Sequence, residues 1–226
     1  MHFALLALAI LALVFGPQIW INHVLRKYNR ERPDLPGTGG ELAQHLIERF
    51  ELDASVLMGG KDDNYYDPAQ RIVFLSPDYY DARSITAVAM ASRLVGYAMQ
   101  HAEEHPGFLK RYSRLSFALR VERFSAIALM ITPVIFLLTR VPHSTLLTIV
   151  IGASGMLAAI WVQILNLPVE KDASYNKAQP ILEEGYLSPV DIPGARRVLK
   201  AAAFSYVAAA MTSLLNLGRW FSILRR

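Results

Sequence analysis

The chain has 226 residues, of which 53% are hydrophobic and only 19% are charged. Soluble domains are usually nearer a quarter charged, so this composition excludes both an ordinary soluble enzyme and a disordered chain. Cysteine is absent, which excludes disulfide bonds, cysteine-ligated zinc and thiol catalysis.

Four long runs contain no charged residue and predict membrane-spanning helices: Phe3–Ile21, Phe124–Thr139, Ser144–Leu165 and Ala201–Leu217. The first run lacks a basic leader and a small-residue cleavage site, so we expect a retained anchor rather than a cleaved signal peptide. The second run is short, but Arg123 and Arg140 at its ends can extend their charged groups toward water. The fourth run is rich in alanine, and its alternative interpretation is a buried helix of a soluble domain.

The distribution of basic residues predicts the topology of these crossings. The segments between runs one and two and between runs three and four hold 19 of the 23 lysines and arginines. The positive-inside rule places these segments in the cytoplasm, and the flank Arg26, Lys27, Arg30 and Arg32 is the strongest evidence for it. The net charge of +4 therefore reflects topology, and no nucleic-acid partner is expected. The Arg225-Arg226 tail, which would lie outside, argues mildly against this arrangement.

The first part of the polar region predicts a helix followed by two short strands. A Pro- and Gly-rich linker, residues 32–40, precedes a helix over about Gly40–Phe50 that Thr38 caps. The segments Ala54–Met58 and Arg71–Leu75 read as strands. We expect the polar run Lys61–Gln70 to connect them as a loop.

A second helix is predicted from Ser84 to about Glu104, where Pro106 stops it. Arg93 is the single charged residue within its body, Ile85–Met99, so the helix is expected to be buried and Arg93 needs a partner. The basic, amphipathic stretch Phe108–Glu122 then leads along the membrane surface into the second run.

Three short motifs carry weaker signals. Leu35–Gly39 matches a sortase signal by letters, but its position near the N-terminus favours a linker. His101 to His105 fits the pattern His-x-x-Glu-His, in which the two histidines could ligate zinc and Glu104 could act as base. The residue before Pro106 is not favoured in a helix, so a polar helix end is the alternative. Pro168 follows the third crossing and is expected to break the helix at the membrane interface. Glu170 and Asp172 would then lie beside the membrane.

A series of segments, in order and with similar spacing, resembles the YugP-type membrane zinc metallopeptidases. They are Tyr65–Pro68, Val73–Ser76, Tyr80–Ser84, Gly96–Ala102, Leu167–Glu170, Asp172–Ser174, Ile192–Arg196 and Tyr206–Ala210. The resemblance covers nearly the whole chain. It implies an α-rich integral membrane protein of about four transmembrane helices with a small cytosolic α+β zincin-like domain.

The resemblance also implies where a zinc site would lie. The family carries His-Glu-x-Gly-His on its long helix and a third ligand, a glutamate, in a Pro-Val-Glu segment. Aligned through Gly96, the first His, the Glu and the second His of this motif correspond to Arg93, Leu94 and Tyr97. Only Glu170 keeps a ligand; Asp172 and Ser174 also match. An arginine cannot ligate Zn²⁺, and a leucine cannot act as a base. We expect Arg93 to pair with Glu170 in place of the metal, with Tyr97 donating to the same carboxylate.

These expectations give a five-part organisation. Its parts are a membrane anchor (1–25), the cytosolic zincin-like domain (26–123), a transmembrane hairpin (124–165), a cytosolic segment with the Pro-Val-Glu motif (166–200) and a final transmembrane helix with its tail (201–226).

The favoured function is a pseudopeptidase of a bacterial inner membrane, without catalytic residues, metal or cofactor. Its expected partners are the lipid bilayer and another membrane protein or peptide segment. The alternative is an active, zinc-dependent metallopeptidase with a site relocated to His101, His105 and Glu170. A structural or assembly protein is a third hypothesis.

Overall fold

A computed structural model describes residues 2–140 and 142–213 of the chain. Within them two compact units form, each from separate stretches of sequence. The apolar unit contains residues 2–15, 110–140, 142–166 and 206–213, and the polar unit contains residues 16–109 and 167–205. Helix α1, His2–Tyr28, begins the chain and ends in the polar unit.

Helix α2, Gly39–Arg49, begins where the sequence predicts, because Thr38 caps it. The Thr38 hydroxyl accepts from the Glu41 N–H at 3.2 Å, and the Glu41 carboxylate accepts from the Thr38 N–H at 2.8 Å. This reciprocal capping box satisfies two donors that a helix start leaves open. The apolar face of α2, including Leu42 and Leu46, is buried in the polar unit.

A three-stranded sheet, with strand order β1-β3-β2, follows α2. Strands β1, Ser55–Met58, and β3, Ile72–Leu75, are parallel and agree with the predicted pair within one residue. Strand β2, Tyr65–Asp67, pairs antiparallel with β3, so the prediction of a plain loop there was wrong. Two adjacent tyrosines favour a strand, and the Asp67 carboxylate accepts from the N–H groups of Ala69 and Gln70 to form the turn.

Helix α4, Ile85–Ala102, is the central element of the polar unit, and the short helix α3, Pro77–Tyr80, precedes it. Ser84 caps α4 by accepting from the Ala87 N–H at 3.0 Å. Its residues are buried from Ile85 to Ala98, as the sequence predicts. The helix ends at Ala102 and Glu104 has a positive φ of 51°, so His105 lies outside it.

Helix α5, Pro106–Thr139, joins the predicted amphipathic stretch and the second apolar run in one continuous helix. Helix α6, Pro142–Lys171, likewise continues through Pro168, so the predicted break at that proline was wrong. Pro168 removes one backbone hydrogen bond from α6. The burial of Val169 and Glu170 just beyond it offsets this loss, so the helix continues.

Beyond α6 the chain widens into the π-helical segment π1, Asp172–Ala178. Helix α7, Gln179–Ile181, follows, and the chain then kinks at Glu184 and Gly185 within the segment Leu182–Tyr186. The last described element is α8, Ile192–Ser213. It begins before the predicted fourth crossing, of which residues 214–217 lie outside the described residues, as do Arg219 and the Arg225-Arg226 tail.

In the apolar unit α5 and α6 pack closely through small residues. A side chain at Gly152 would collide with Leu129, and one at Gly155 would collide with Ser125. The hydroxyl groups of Thr132 and Thr148 lie 3.0 Å apart and form a hydrogen bond between the helices. Small residues and hydroxyl pairs of this kind are typical of helix contacts in membranes.

Two helical stretches in the described residues are long and apolar enough to cross a bilayer, Pro106–Leu138 and Leu146–Tyr186. They contain nearly all of the predicted second and third crossings. The four-crossing topology and the cytoplasmic placement of the polar region stay predictions.

Candidate functional site

Helix α4 carries a polar stripe on one buried face. Arg93, Tyr97 and Gln100 follow at spacings of four and three residues, which places them on the same side of a helix. Their exposed fractions are 2%, 1% and 0%. Because α4 is packed against α2, the sheet and π1, this stripe has no access to water and must find partners within the protein.

The partners come from the junction of α6 and π1. The Arg93 guanidinium donates to a carboxylate oxygen, Oε2, of Glu170 and through Nε to the Ser174 hydroxyl at 3.2 Å. The Tyr97 hydroxyl donates to the same Oε2. Glu170 is 2% exposed and Ser174 is fully buried. We call these four residues, Arg93, Tyr97, Glu170 and Ser174, the Arg93 cluster.

Two donors, the Arg93 guanidinium and the Tyr97 hydroxyl, converge on one carboxylate oxygen of Glu170. The guanidinium carbon also lies 5.1 Å from the centre of the Tyr97 ring, within cation–π range. Such a pair offsets the cost of removing two charges from water only while both partners remain. The cluster is therefore a mutually dependent unit.

A second set of polar contacts extends this junction. The Gln100 amide donates to the Val169 carbonyl at 3.1 Å and to the Asp172 carboxylate at 2.7 Å. Asp172 also accepts from Asn176 at 2.7 Å. Lys177 on π1 forms an ion pair with Glu103 at the end of α4, at 2.7 Å. Polar contacts thus join α4 to the α6–π1 junction along the length of π1.

Gly96 lets α4 and π1 approach closely. A Cβ at this position would lie 2.9 Å from the Ala173 carbonyl oxygen and 3.2 Å from the Lys177 Cβ. Gly96 lies between Arg93 and Tyr97 in sequence, so the close approach occurs beside the Arg93 cluster. The π-helical geometry of π1 is itself uncommon and is often found at functional sites.

The alternative histidine site is not assembled in the structure. His101 lies on α4 and its Nδ1 forms a hydrogen bond with the Tyr66 hydroxyl at 2.9 Å. His105 lies beyond the helix, where its Nδ1 accepts from the Phe108 N–H at 3.3 Å. The two histidines therefore do not lie on one helix, in agreement with the unfavourable position of His105 before Pro106. Among the described residues no three His, Asp or Glu side chains are grouped to hold a metal ion.

Some contacts of the site had not been predicted. Gln100 lies seven residues after Arg93, so the helical period that placed Tyr97 beside Arg93 could also have found it. The aromatic contact of Phe108 with Tyr97, at 6.3 Å between ring centres, joins residues from two helices and has no local signal. The sortase-like segment offers no accessible motif, because Leu35 is only 5% exposed.

Comparison with known proteins decides the family. Residues 3–225 match the model of the family described as "Putative neutral zinc metallopeptidase". The chain belongs to this family. It is 34% identical over 226 residues to the "Putative membrane protease YugP" of Bacillus subtilis (strain 168), in an alignment that covers 99% of this chain and 96% of that protein. The resemblance seen in the sequence is thereby confirmed. No solved structure matches the chain.

The zinc that the family name implies does not fit the side chains of the Arg93 cluster. The cluster supplies one carboxylate, and a guanidinium already donates to it. Leu94 is apolar and fully buried, so it can neither ligate a metal nor activate water. Structural and catalytic zinc sites need at least three protein ligands from Cys, His, Asp or Glu.

Proposed function

We propose that this chain is a membrane-embedded member of the zinc metallopeptidase family that has lost zinc and catalysis and acts by binding. The observation that carries the proposal is the buried ion pair of Arg93 and Glu170. A cation covalently attached to α4 joins the same two parts of the chain, α4 and the Pro-Val-Glu segment, that a metal ion would join in relatives. This ion pair holds the two segments together, but it cannot activate water for peptide hydrolysis.

Membrane location is supported by the surface of the apolar unit. The core helix of a soluble protein hides its large apolar side chains, whereas α5 and α6 expose theirs. Phe124, Leu137 and Leu138 are 72%, 74% and 78% exposed, and Leu157 and Trp161 are 62% and 61% exposed. Exposed apolar area on this scale marks contact with lipid or another protein. We place the chain in the bacterial inner membrane, with four crossings and the polar unit in the cytoplasm.

A binding or regulatory role is supported by the packing of the polar unit. Helix α4 is buried, the capped helix α2 packs against it, and π1 approaches it closely at Gly96. A scaffold kept in this form without a nucleophile or base is suited to hold a peptide segment or another membrane protein. Binding such a partner without cleaving it would be sufficient to regulate that partner.

The direct test uses the full chain, purified in detergent. Metal content is measured after dialysis against zinc, and cleavage of casein and of membrane-protein substrates is measured with and without chelator, beside an active zinc peptidase. We expect no tightly held zinc and no chelator-sensitive cleavage. About one zinc per chain, with cleavage that His101→Ala or His105→Ala abolishes, would instead establish the relocated site.

A further inference from the structure

The last turns of α1 and the residues just beyond them present a basic surface. His23, Arg26 and Lys27 are exposed on α1 at spacings that place them on one face, and Arg30, just beyond the end of the helix, is also exposed. With Ile19 and Asn22 they line a shallow groove of about 690 Å³. In the described part of the chain, Arg26, Lys27 and Arg30 form no ion pair. We call this surface the α1 basic groove.

The opposite face of the same turns is fixed to the polar unit. Ile21 and Val24 are 1% and 6% exposed. The Leu25 carbonyl accepts from the Thr86 hydroxyl at 2.9 Å, and Asn29 accepts from the Ser84 hydroxyl at 2.6 Å. These contacts fix the helix that carries His23, Arg26 and Lys27 to the polar unit.

Apolar residues border the groove on the side of the predicted first crossing. Ile19 is 66% exposed and Trp20 is 42% exposed. Tryptophan is enriched at the level of lipid headgroups. From Ile21 to Arg26 a helix rises about 7.5 Å, and the headgroup layer is roughly 5 to 8 Å thick on each side of a bilayer. The guanidinium and ammonium groups therefore reach phosphate depth if run one crosses the membrane.

We infer that the α1 basic groove binds an anionic glycerophospholipid, with its phosphate between Arg26, Lys27 and Arg30 and its acyl chains along Ile19 and Trp20. A phosphate accepts hydrogen bonds from several cationic donors at once, and the apolar border selects a lipid over a soluble phosphate. The alternative is that these basic residues only stabilise α1 through a favourable interaction with the negative, C-terminal end of its dipole. The inference rests on the membrane location in the proposed function and is independent of zinc loss.

Lipid retention by the full chain in detergent tests it. The chain is titrated with phosphatidylglycerol or phosphatidylcholine, and bound lipid is counted by native mass spectrometry. The test variant combines Arg26→Gln, Lys27→Gln and Arg30→Gln; the control combines Arg49→Gln, Lys61→Gln and Arg196→Gln and removes the same charge elsewhere. We expect preferential phosphatidylglycerol binding that falls about tenfold or more in the test variant and less than twofold in the control.

Three results would overturn the inference. They are equal binding of both lipids by the wild-type chain, equal loss in both variants, and displacement of the lipid by millimolar glycerol phosphate, which would identify a soluble ligand. If the test variant does not fold, fluorescence quenching of the wild-type chain by brominated lipids tests the site instead. Quenching of the Trp20 contribution, isolated with Trp20→Phe, should be stronger with brominated phosphatidylglycerol than with brominated phosphatidylcholine. Equal quenching would also reject the site.

Normal topology with no lipid preference would reject this inference alone. Reporters fused before Met1 and after Lys61 that lie on the same side of the membrane would instead reject the first crossing, and with it the membrane arrangement on which this inference depends.

Discussion

Arg93 and Glu170 are 77 residues apart in sequence, and their side chains meet in a buried ion pair between α4 and the end of α6. An arginine or a glutamate is costly to bury unless its charge is paired with an opposite one. Tyr97 donates a further hydrogen bond to the Glu170 carboxylate and Ser174 accepts one from Arg93, so both members of the pair have an additional partner. Its value to the fold can be measured by removing one partner at a time.

Replacing one partner of this pair should be far more harmful than replacing both. Glu170→Gln leaves the Arg93 charge buried, and we expect a loss of about 3–5 kcal/mol in the free energy of unfolding of the polar unit. Arg93→Met combined with Glu170→Leu removes both charges and should recover part of that loss. Denaturant unfolding of the chain in detergent, followed by circular dichroism, measures these differences.

An exposed ion pair between the same elements provides the control. Glu103→Gln breaks the pair with Lys177, which is partly in water, and should cost no more than about 1 kcal/mol. Equal, small effects of Glu170→Gln and Glu103→Gln would show that the Arg93 cluster contributes no special stability.

Restoring the family motif should restore metal binding. The triple variant Arg93→His, Leu94→Glu and Tyr97→His places two imidazoles on the face of α4 that meets Glu170, giving the three ligands that a zinc site needs. We expect about one zinc per chain by elemental analysis and a higher unfolding temperature with zinc, because metal binding stabilises the folded state. Adding Glu170→Gln to the triple variant should weaken both effects. Zinc binding that ignores Glu170 would separate this residue from the site.

Local signals in the sequence account for the predictions that held best. Thr38 and Ser84 are caps whose hydrogen bonds lie within three residues, so both helix starts could be predicted. A single charge in an apolar helix predicted that Arg93 has a partner, but only the family resemblance identified that partner as Glu170. The strand β2 was missed because its pairing depends on β3, and the continuation of α6 through Pro168 was missed because burial beyond the proline overrides the local preference.

Gly96 offers a test of the close approach between α4 and π1. Gly96→Ala puts a methyl group against the Ala173 carbonyl and should destabilise the chain by about 1–3 kcal/mol through overpacking. The matched control is Gly16→Ala in α1, where a Cβ meets nothing within 4 Å. That change should be neutral or stabilise by about 0.5–1 kcal/mol. Similar effects at both glycines would argue against a specific contact at Gly96.

The polar unit should lose stability in acid through Asp191. The Arg32 guanidinium donates to this carboxylate at 2.7 Å and lowers its pKa below the ordinary value. A lowered pKa stabilises the fold fully above about pH 4 and loses this contribution as the pH falls further, toward the folded-state pKa. Unfolding temperatures from pH 7 to pH 3 should therefore fall more steeply for the wild-type chain than for Asp191→Asn. Parallel curves would show that Asp191 does not contribute.

The topology can be tested with reporter fusions. Fusions after Lys61 and after His143 should report opposite sides of the membrane, the first cytoplasmic and the second external, because the basic flank of α1 favours the inside. A fusion after Lys200 should agree with the one after Lys61. The same side for Lys61 and His143 would remove the predicted crossing between them.

The mutual dependence of the Arg93 cluster also bears on the evolutionary history of the chain. If the zinc site was lost as proposed, a path back to it by single substitutions passes through a variant such as Arg93→His, which removes the guanidinium that pairs with the buried Glu170 carboxylate. We expect that variant to be less stable, so the ion pair would hinder a return to a metal site. The measured stability of Arg93→His gives the height of this barrier.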